Sequence, residues 1–142
     1  MKILPAFPPA DRLHSALAER DIGKLADCWH EQISYQAPGA HARGRHERLE
    51  VEQIMLDAFP DAVVEIHERW LSGDTMIETG CLRGTHTGVL RAPGAELPPS
   101  GAQIASEYVG IFRFADDRVI EQRMYFDRLE LIGQLSNREV GS

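Results

Sequence analysis

The sequence lacks any apolar run long enough to cross a bilayer, for which about 20 consecutive apolar residues are needed. Its first stretch, Met1 to Ala10, is interrupted by Pro5, Pro8 and Pro9 and holds too short an apolar segment for a signal peptide. A soluble, cytoplasmic protein without a membrane partner is expected. Cysteine is scarce. Cys28 and Cys81 have no CxxC or metal-type spacing, which argues against a disulfide framework or a cysteine-based zinc site. Cys81 falls in an apolar alternating stretch, where a small buried thiol is the expectation. Positive charge is short as well: 15 Lys and Arg against 22 Asp and Glu give a formal net charge of −7. That balance argues against a nucleic-acid backbone or an anionic lipid surface as partner. Only Arg43, Arg45 and Arg48 form a local basic group. Repeats, low-complexity tracts and linker-like stretches are missing too, so residues 1–142 read as one domain. A chain of this length buries about two thirds of the surface its unfolded form exposes and needs no covalent staple.

What is present falls into helices first and strands second. Asp11 reads as the cap of a helix carrying Leu13, Ala16 and Leu17, and Asp21 as the cap of a second with Leu25, Cys28 and Trp29. After an extended piece, Ile33 to Gln36, the Pro38-Gly39 turn leads to a third helix with Val51, Ile54, Met55 and Ala58 on one face; Pro60 ends it. Val64, Ile66 and Trp70 then alternate with Glu65, His67 and Arg69, the pattern of a strand with one wet face. Thr75 to Leu90 reads as a long strand whose Gly80, Gly84 and Gly88 mark bends or bulges that let a sheet curl. A Pro/Gly-rich loop, Arg91 to Gly101, precedes strands at Ala102 to Phe114 and Val119 to Phe126, and Asp127 with Glu130 opens a closing helix through Leu135.

Parity separates the two faces of the last strands. Even positions give Ile104, Ser106, Tyr108, Gly110, Phe112 and Phe114, then Ile120, Gln122, Met124 and Phe126, the expected concave interior. Odd positions mix Glu107, Arg113, Glu121 and Arg123 with Val109, Ile111 and Tyr125, suited to a solvated surface or to a homodimer through the convex sheet face. The dimer is preferred. The simplest registers set Gly110 opposite Met124, Phe112 opposite Gln122, and His86 near Ser106.

Several stretches, in this order, resemble the SnoaL-like polyketide cyclases of the nuclear transport factor 2-like superfamily. They are Ala58-Phe59-Pro60-Asp61, Gly84-Thr85-His86-Thr87-Gly88, Pro99-Ser100-Gly101, and Tyr125-Phe126-Asp127 followed by Leu131, Gln134 and Leu135. With the order of helices and strands they span nearly the whole chain. The resemblance implies a cone-shaped α+β barrel, with N-terminal helices packed on a strongly curved, mainly antiparallel sheet and a C-terminal helix. It also implies a hydrophobic small-molecule cavity, no metal or organic cofactor, and commonly a homodimer. The aspartate and histidine that the family is thought to use for proton movements align here with Met124 and Gly110, which can do neither task. Limonene-epoxide hydrolase is a second relative, similar at Tyr35-Gln36 and at Arg123-Met124-Tyr125-Phe126-Asp127. Of its machinery only the tyrosine is kept, as Tyr35; Ala37, Gly80, Leu82 and Met124 occupy its other positions.

The polar groups left on the inferred concave face are Glu78, His86, Ser106, Tyr108 and Gln122, with Tyr35. In an apolar cavity a carboxylate titrates higher and a histidine lower, so either can carry protons near neutral pH. His86 and Tyr108 are the candidate catalytic pair. The candidate ligand-binding residues are Tyr35, Glu78, Ser106, Phe112, Gln122 and Met124, with Trp29 and Phe59 as walls. A strand histidine in this bend equally fits a satisfied structural role, and Glu78, expected beside Phe114 and Ile120, equally fits a rim residue in water. Trp70 reads as pocket or core wall. Asp127 is better explained as a helix cap than as a catalytic acid. His14, His30, His41, His46 and His67 lack metal-ligand spacing.

Two functions compete for the cavity. One is a cofactor-free enzyme, a cyclase, isomerase or dehydratase acting by proton transfer on a polyketide-like carbonyl compound. The other is a non-catalytic binding protein for a small apolar organic molecule. An oligomerising accessory domain is a third. The enzyme is preferred on His86 and Tyr108, while Gly110 and Met124 favour the binding protein.

Overall fold

Pro8 and Pro9 occupy the first positions of the opening helix, where their missing N–H groups cost nothing, so α1 (Pro8–Glu19) starts earlier than its aspartate suggested. Asp11 is not the cap; it sits in the first turn and accepts the Phe7 N–H at 3.2 Å. The structure is a computed structural model describing residues 4–92 and 95–136. Residues 1–3 of the N-terminal stretch and 93–94 of the 91–101 loop lie outside the described residues. Asp21 caps α2 (Ile22–Asp27) as expected, through the Lys24 N–H.

A two-residue turn, Pro38 with Gly39 at φ +78°, joins β1 (Trp29–Ala37) to β2 (Ala40–Arg43). Glycine tolerates that left-handed value without cost. β2 was not foreseen, because four residues alternating around Ala42 carry little strand signal. Then come α3 (Gly44–Ala58), β3 (Val63–Ser72), β4 (Thr75–Thr85), a small hairpin of β5 (Leu90–Ala92) and β6 (Ala95–Leu97), β7 (Gln103–Ala115), β8 (Arg118–Phe126) and α4 (Arg128–Ser136). β4 stops at Thr85, short of the expected Leu90. Asp127 accepts the Glu130 N–H at 3.0 Å, the cap read from the sequence.

Strand order is β2-β1-β8-β7-β4-β3, antiparallel throughout except for β1 beside β8. The chain is thus α+β, with a six-stranded mixed sheet, helices before it and one after. Two apolar clusters close the concave side. One joins Leu13, Ala16 and Leu25 of the first helices to Ile33, Met76, Phe112, Phe114 and Val119. The other joins Ala58 and Phe59 at the end of α3 to Ile104 and Leu135. Cys28 and Cys81 are buried free thiols.

Two irregularities overturn simple parity. In β8 the register slips next to Phe114, which pairs with Val119; Val119 is therefore fully buried and Ile120 only partly so. In β3, Ile66 pairs with Gly80 but Glu68 with Thr79, leaving His67 as an extra residue. Such a bulge exchanges the faces of everything that follows. Arg69, expected in water, is buried, and Trp70, expected as a wall, is half exposed. Gly80 makes room for this: a Cβ there would collide with the Glu65 carbonyl and come within 2.7 Å of the Tyr108 hydroxyl.

Candidate active site

Glu78 lies opposite Gly110, which lies opposite Met124, so the three form one line across β4, β7 and β8. It is not a rim residue, and it is not beside Phe114: its surface is fully buried. Three side chains from three elements meet its carboxylate. His14 of α1 contacts both oxygens through Nε2, at 2.9 and 3.0 Å, so that nitrogen bears the proton. Tyr108 of β7 donates its hydroxyl to Oε2 at 3.0 Å. Arg69 of β3 places Nη2 3.5 Å from Oε1. Arg69 is held in turn by Asp11 at 2.8 Å and donates to the Pro5 carbonyl at 3.2 Å. Burial works against the Asp11 charge, but the Arg69 hydrogen bond and charge hold its carboxyl below the usual range. Burial, and then the neighbouring Glu78 charge, push the Tyr108 phenol far above its ordinary value. Tyr108 therefore keeps its proton and acts as a hydrogen-bond donor to Glu78.

The expected cluster of His86, Ser106 and Tyr108 does not form. Ser106 pairs with Leu82 and Tyr108 with Gly80, whereas the His86 N–H meets the Ala102 carbonyl at 2.9 Å. The inferred register was four residues out, because the loop after β4 takes up part of the chain that was counted as strand. His86 is instead tied to Ser100: Nδ1 is 2.9 Å from Oγ and 3.3 Å from the Ser100 N–H, while Oγ accepts the Ala102 N–H. A backbone donor on Nδ1 fixes the other nitrogen as the protonated one. Nε2 is buried with no partner among the described residues, and the imidazole and Phe59 ring centroids are 5.5 Å apart. Eight extended residues separate His86 from Glu78, roughly 27 Å before curvature.

A third group lies where α3 crosses β1. The Arg48 guanidinium lies over the rings of Trp29 and Tyr35, 4.4 and 4.2 Å from their centroids. Its Nε is 3.4 Å from Gln122 Oε1 and its Nη2 is 3.1 Å from Glu52. Gln122 pairs with Phe112 on one side and Tyr35 on the other. Burial raises the Tyr35 phenol above its ordinary value, so it too keeps its proton. An open depression of about 410 Å³ runs along the β1–β2 hairpin, and Tyr35 lines it. Phe112 packs in the first apolar cluster and Met124 beside it. The Phe112 ring and the Met124 sulfur fill the space a side chain at Gly110 would need. Among the described residues no three His, Cys, Asp or Glu side chains are placed to hold a metal ion.

Three of these groups were missed by sequence reasoning, two of them with a signal present. His14 continues the stripe Ala10, Leu13, Leu17, and Arg48 the stripe Val51, Met55, Ala58. A polar residue on an apolar helical stripe faces the interior. Arg69 had no such signal, because the bulge that turns it inward is not marked in β3 itself.

Curved six-stranded sheet, leading helices and closing helix define the nuclear transport factor 2-like class. The chain belongs to the SnoaL-like polyketide cyclase family, whose sequence profile matches residues 10–135. It is similar to the crystal structure of a candidate SnoaL-like polyketide cyclase from Jannaschia sp. CCS1, with TM-score 0.80 and 20% identity over 91% of this chain and 90% of the other. IdmH, a candidate polyketide cyclase from Streptomyces antibioticus, aligns with TM-score 0.72 and 25% identity over 92% and 99%. An LEH-like epoxide hydrolase from M. tuberculosis aligns with TM-score 0.71 and 16% identity over 94% and 91%. No curated protein matches the chain. No helix among the described residues is long and apolar enough to cross a membrane.

Burial lowers the His86 pKa below its ordinary value. The unfolded chain then binds a proton that the native state refuses, so stability falls as pH drops from about 6.5 toward the native value and levels below it. Thermal unfolding of His86→Asn is expected to lose less between pH 7.5 and 5.5 than the wild type does. Equal losses would show that His86 titrates alike in both states.

Proposed function

We propose that this chain is a cofactor-free enzyme that moves a proton on a polyketide-like carbonyl compound, in a cyclisation, isomerisation or dehydration. The observation that carries the reading is the fully buried Glu78 in the same cross-strand line as Gly110 and Met124. The family resemblance aligns its histidine and aspartate with those two positions. The line has lost its carboxylate on β8 and carries one on β4.

In this reading Glu78 accepts the proton from the carbon beside a carbonyl. The C–H electron pair becomes an enolate, which attacks a second carbonyl or is reprotonated, and Glu78 returns the proton. Tyr108 donates to Glu78 or to the developing oxygen, and His14 orients the carboxylate. Arg69 acts through Glu78 and is a positioning residue. His86 would serve at most as a neutral N–H donor to a distant part of the ligand. Ser106, Phe112, Met124, Trp29 and Phe59 would shape an apolar cavity. Buried free thiols suit a reducing, cytoplasmic setting.

A non-catalytic binding protein is kept as the second reading, because Glu78 already has three donors. Turnover of a panel of polyketide-like ketones separates the two. Glu78→Gln is expected to lower kcat/KM by about 10²–10⁴-fold, the scale of general base catalysis. Tyr108→Phe should lower it less, and His86→Ala by under about threefold, the scale expected of a residue outside the proton transfer. Removing one member of a buried ionic group can unfold the chain, so each variant is accompanied by its thermal transition. Ligand binding without turnover would leave the binding protein standing.

The outer face of the sheet is proposed to join two copies. Trp70, Ile77, Val109 and Tyr125 are exposed there, with the Arg113–Glu121 pair beside them. Light scattering at micromolar concentration is expected to give twice the chain mass, and Val109→Glu with Tyr125→Glu to halve it without loss of helix signal. A monomeric wild type would refute the interface.

A further inference from the structure

We propose that Arg48 is the receptor for a carboxylate on the substrate, so that the compound handled by this protein is an aromatic or polyketide-like acid. The proposal rests on the proton-transfer reading only for the carbonyl nature of that compound.

Arg48 is a cation buried in a protein of net charge −7. The guanidinium lies over both the Trp29 and the Tyr35 ring, contacts that favour arginine over any neutral side chain. Glu52 and Gln122 engage Nη2 and Nε, and among the described residues Nη1 has no hydrogen-bond partner. A planar fork of this kind suits a planar carboxylate better than a single carbonyl oxygen.

The surrounding groups are mostly donors. The Tyr35 phenol is kept protonated by burial. Gln122 spends its oxygen on Arg48 and leaves its amide N–H groups for another acceptor. The Trp29 Nε1–H is buried with no acceptor among the described residues. Among the described residues, Glu52 is the one acidic side chain paired with the guanidinium. Tyr35 belongs both to this group and to the lining of the open hairpin depression.

The spacing from the proton acceptor also fits. Gln122 is two strands and one inward-facing position away from Glu78, about 12 Å between backbones at ordinary strand and residue spacings. Phe112 and Met124 lie between them, an apolar floor. A fused-ring compound with an acid at one end and an enolisable carbonyl at the other matches that span.

Isothermal titration calorimetry with 9,10-anthraquinone-2-carboxylate and its methyl ester provides the test, since the two differ only in the charge at the carboxyl end. The wild type is expected to bind the acid at least about tenfold more tightly than the ester, the scale of one charge-assisted hydrogen bond. Arg48→Met should remove that preference and leave ester affinity within about threefold, because its apolar stem still packs against the two rings. Equal affinity for acid and ester in the wild type, no binding of the acid at millimolar concentration, or a preference kept by Arg48→Met would each overturn the proposal.

If Arg48→Met does not fold, Glu52→Gln decides instead. Removing the competing carboxylate should tighten the acid several-fold and leave the ester unchanged, and an unchanged acid affinity counts against the proposal. Binding is read without turnover. A failed proton-transfer reading therefore leaves the acid preference intact, and a failed acid preference leaves turnover of neutral ketones intact.

Discussion

A carboxylate fully removed from water must be met by donors, and much of this fold is arranged around meeting Glu78. The extra residue at His67 turns Arg69 inward, and Gly80 leaves the space that the bulge and the Tyr108 hydroxyl occupy. The first helix docks with His14 over both carboxylate oxygens and Asp11 against Arg69. Sheet, bulge and helix thus share one electrostatic centre. Apolar packing below it, from Leu13 and Ala16 to Phe112 and Phe114, excludes the water that would otherwise weaken these contacts.

The same centre explains why Gly110 and Met124 need not mean an empty cavity. The Phe112 ring occupies the volume next to Gly110, and Met124 packs against it, so that part of the line is apolar. Polar chemistry lies on either side: Glu78 with its donors toward β3, and Arg48 with Gln122 and Tyr35 toward β1. Packed Phe112 and Met124 separate the carboxylate on β4 from the donor-rich group beside β1. That division of labour suits a compound carrying an acidic C–H and an anionic or carbonyl oxygen at separate places.

Much of the fold was legible in the sequence because it follows from local pattern. Helix caps at Asp21 and Asp127, the Pro60 stop, the alternation in 102–126 and the Gly110–Met124 pairing all follow from rules that act within a few residues. The site was less legible, for two physical reasons. A bulge is one residue of extra backbone, and His67 carries no mark of it, so Arg69 and Trp70 were placed on the wrong faces. The register across the 91–101 loop depended on where β4 ends, and the turn at His86 shifted it by four residues. His14 and Arg48 stood on apolar stripes and could have been read as inward polar groups. Their partners came from distant strands and could not.

The central claim is that Glu78 moves a proton to and from carbon. It is tested most directly by following exchange of the hydrogens beside the carbonyl of a bound polyketide-like ketone in D2O, by NMR, for the wild type and for folded Glu78→Gln. The account predicts catalysed exchange in the wild type and its loss by about a hundredfold or more in the variant. Exchange that survives the substitution unchanged, or its absence from a wild type that holds the ketone, would contradict it.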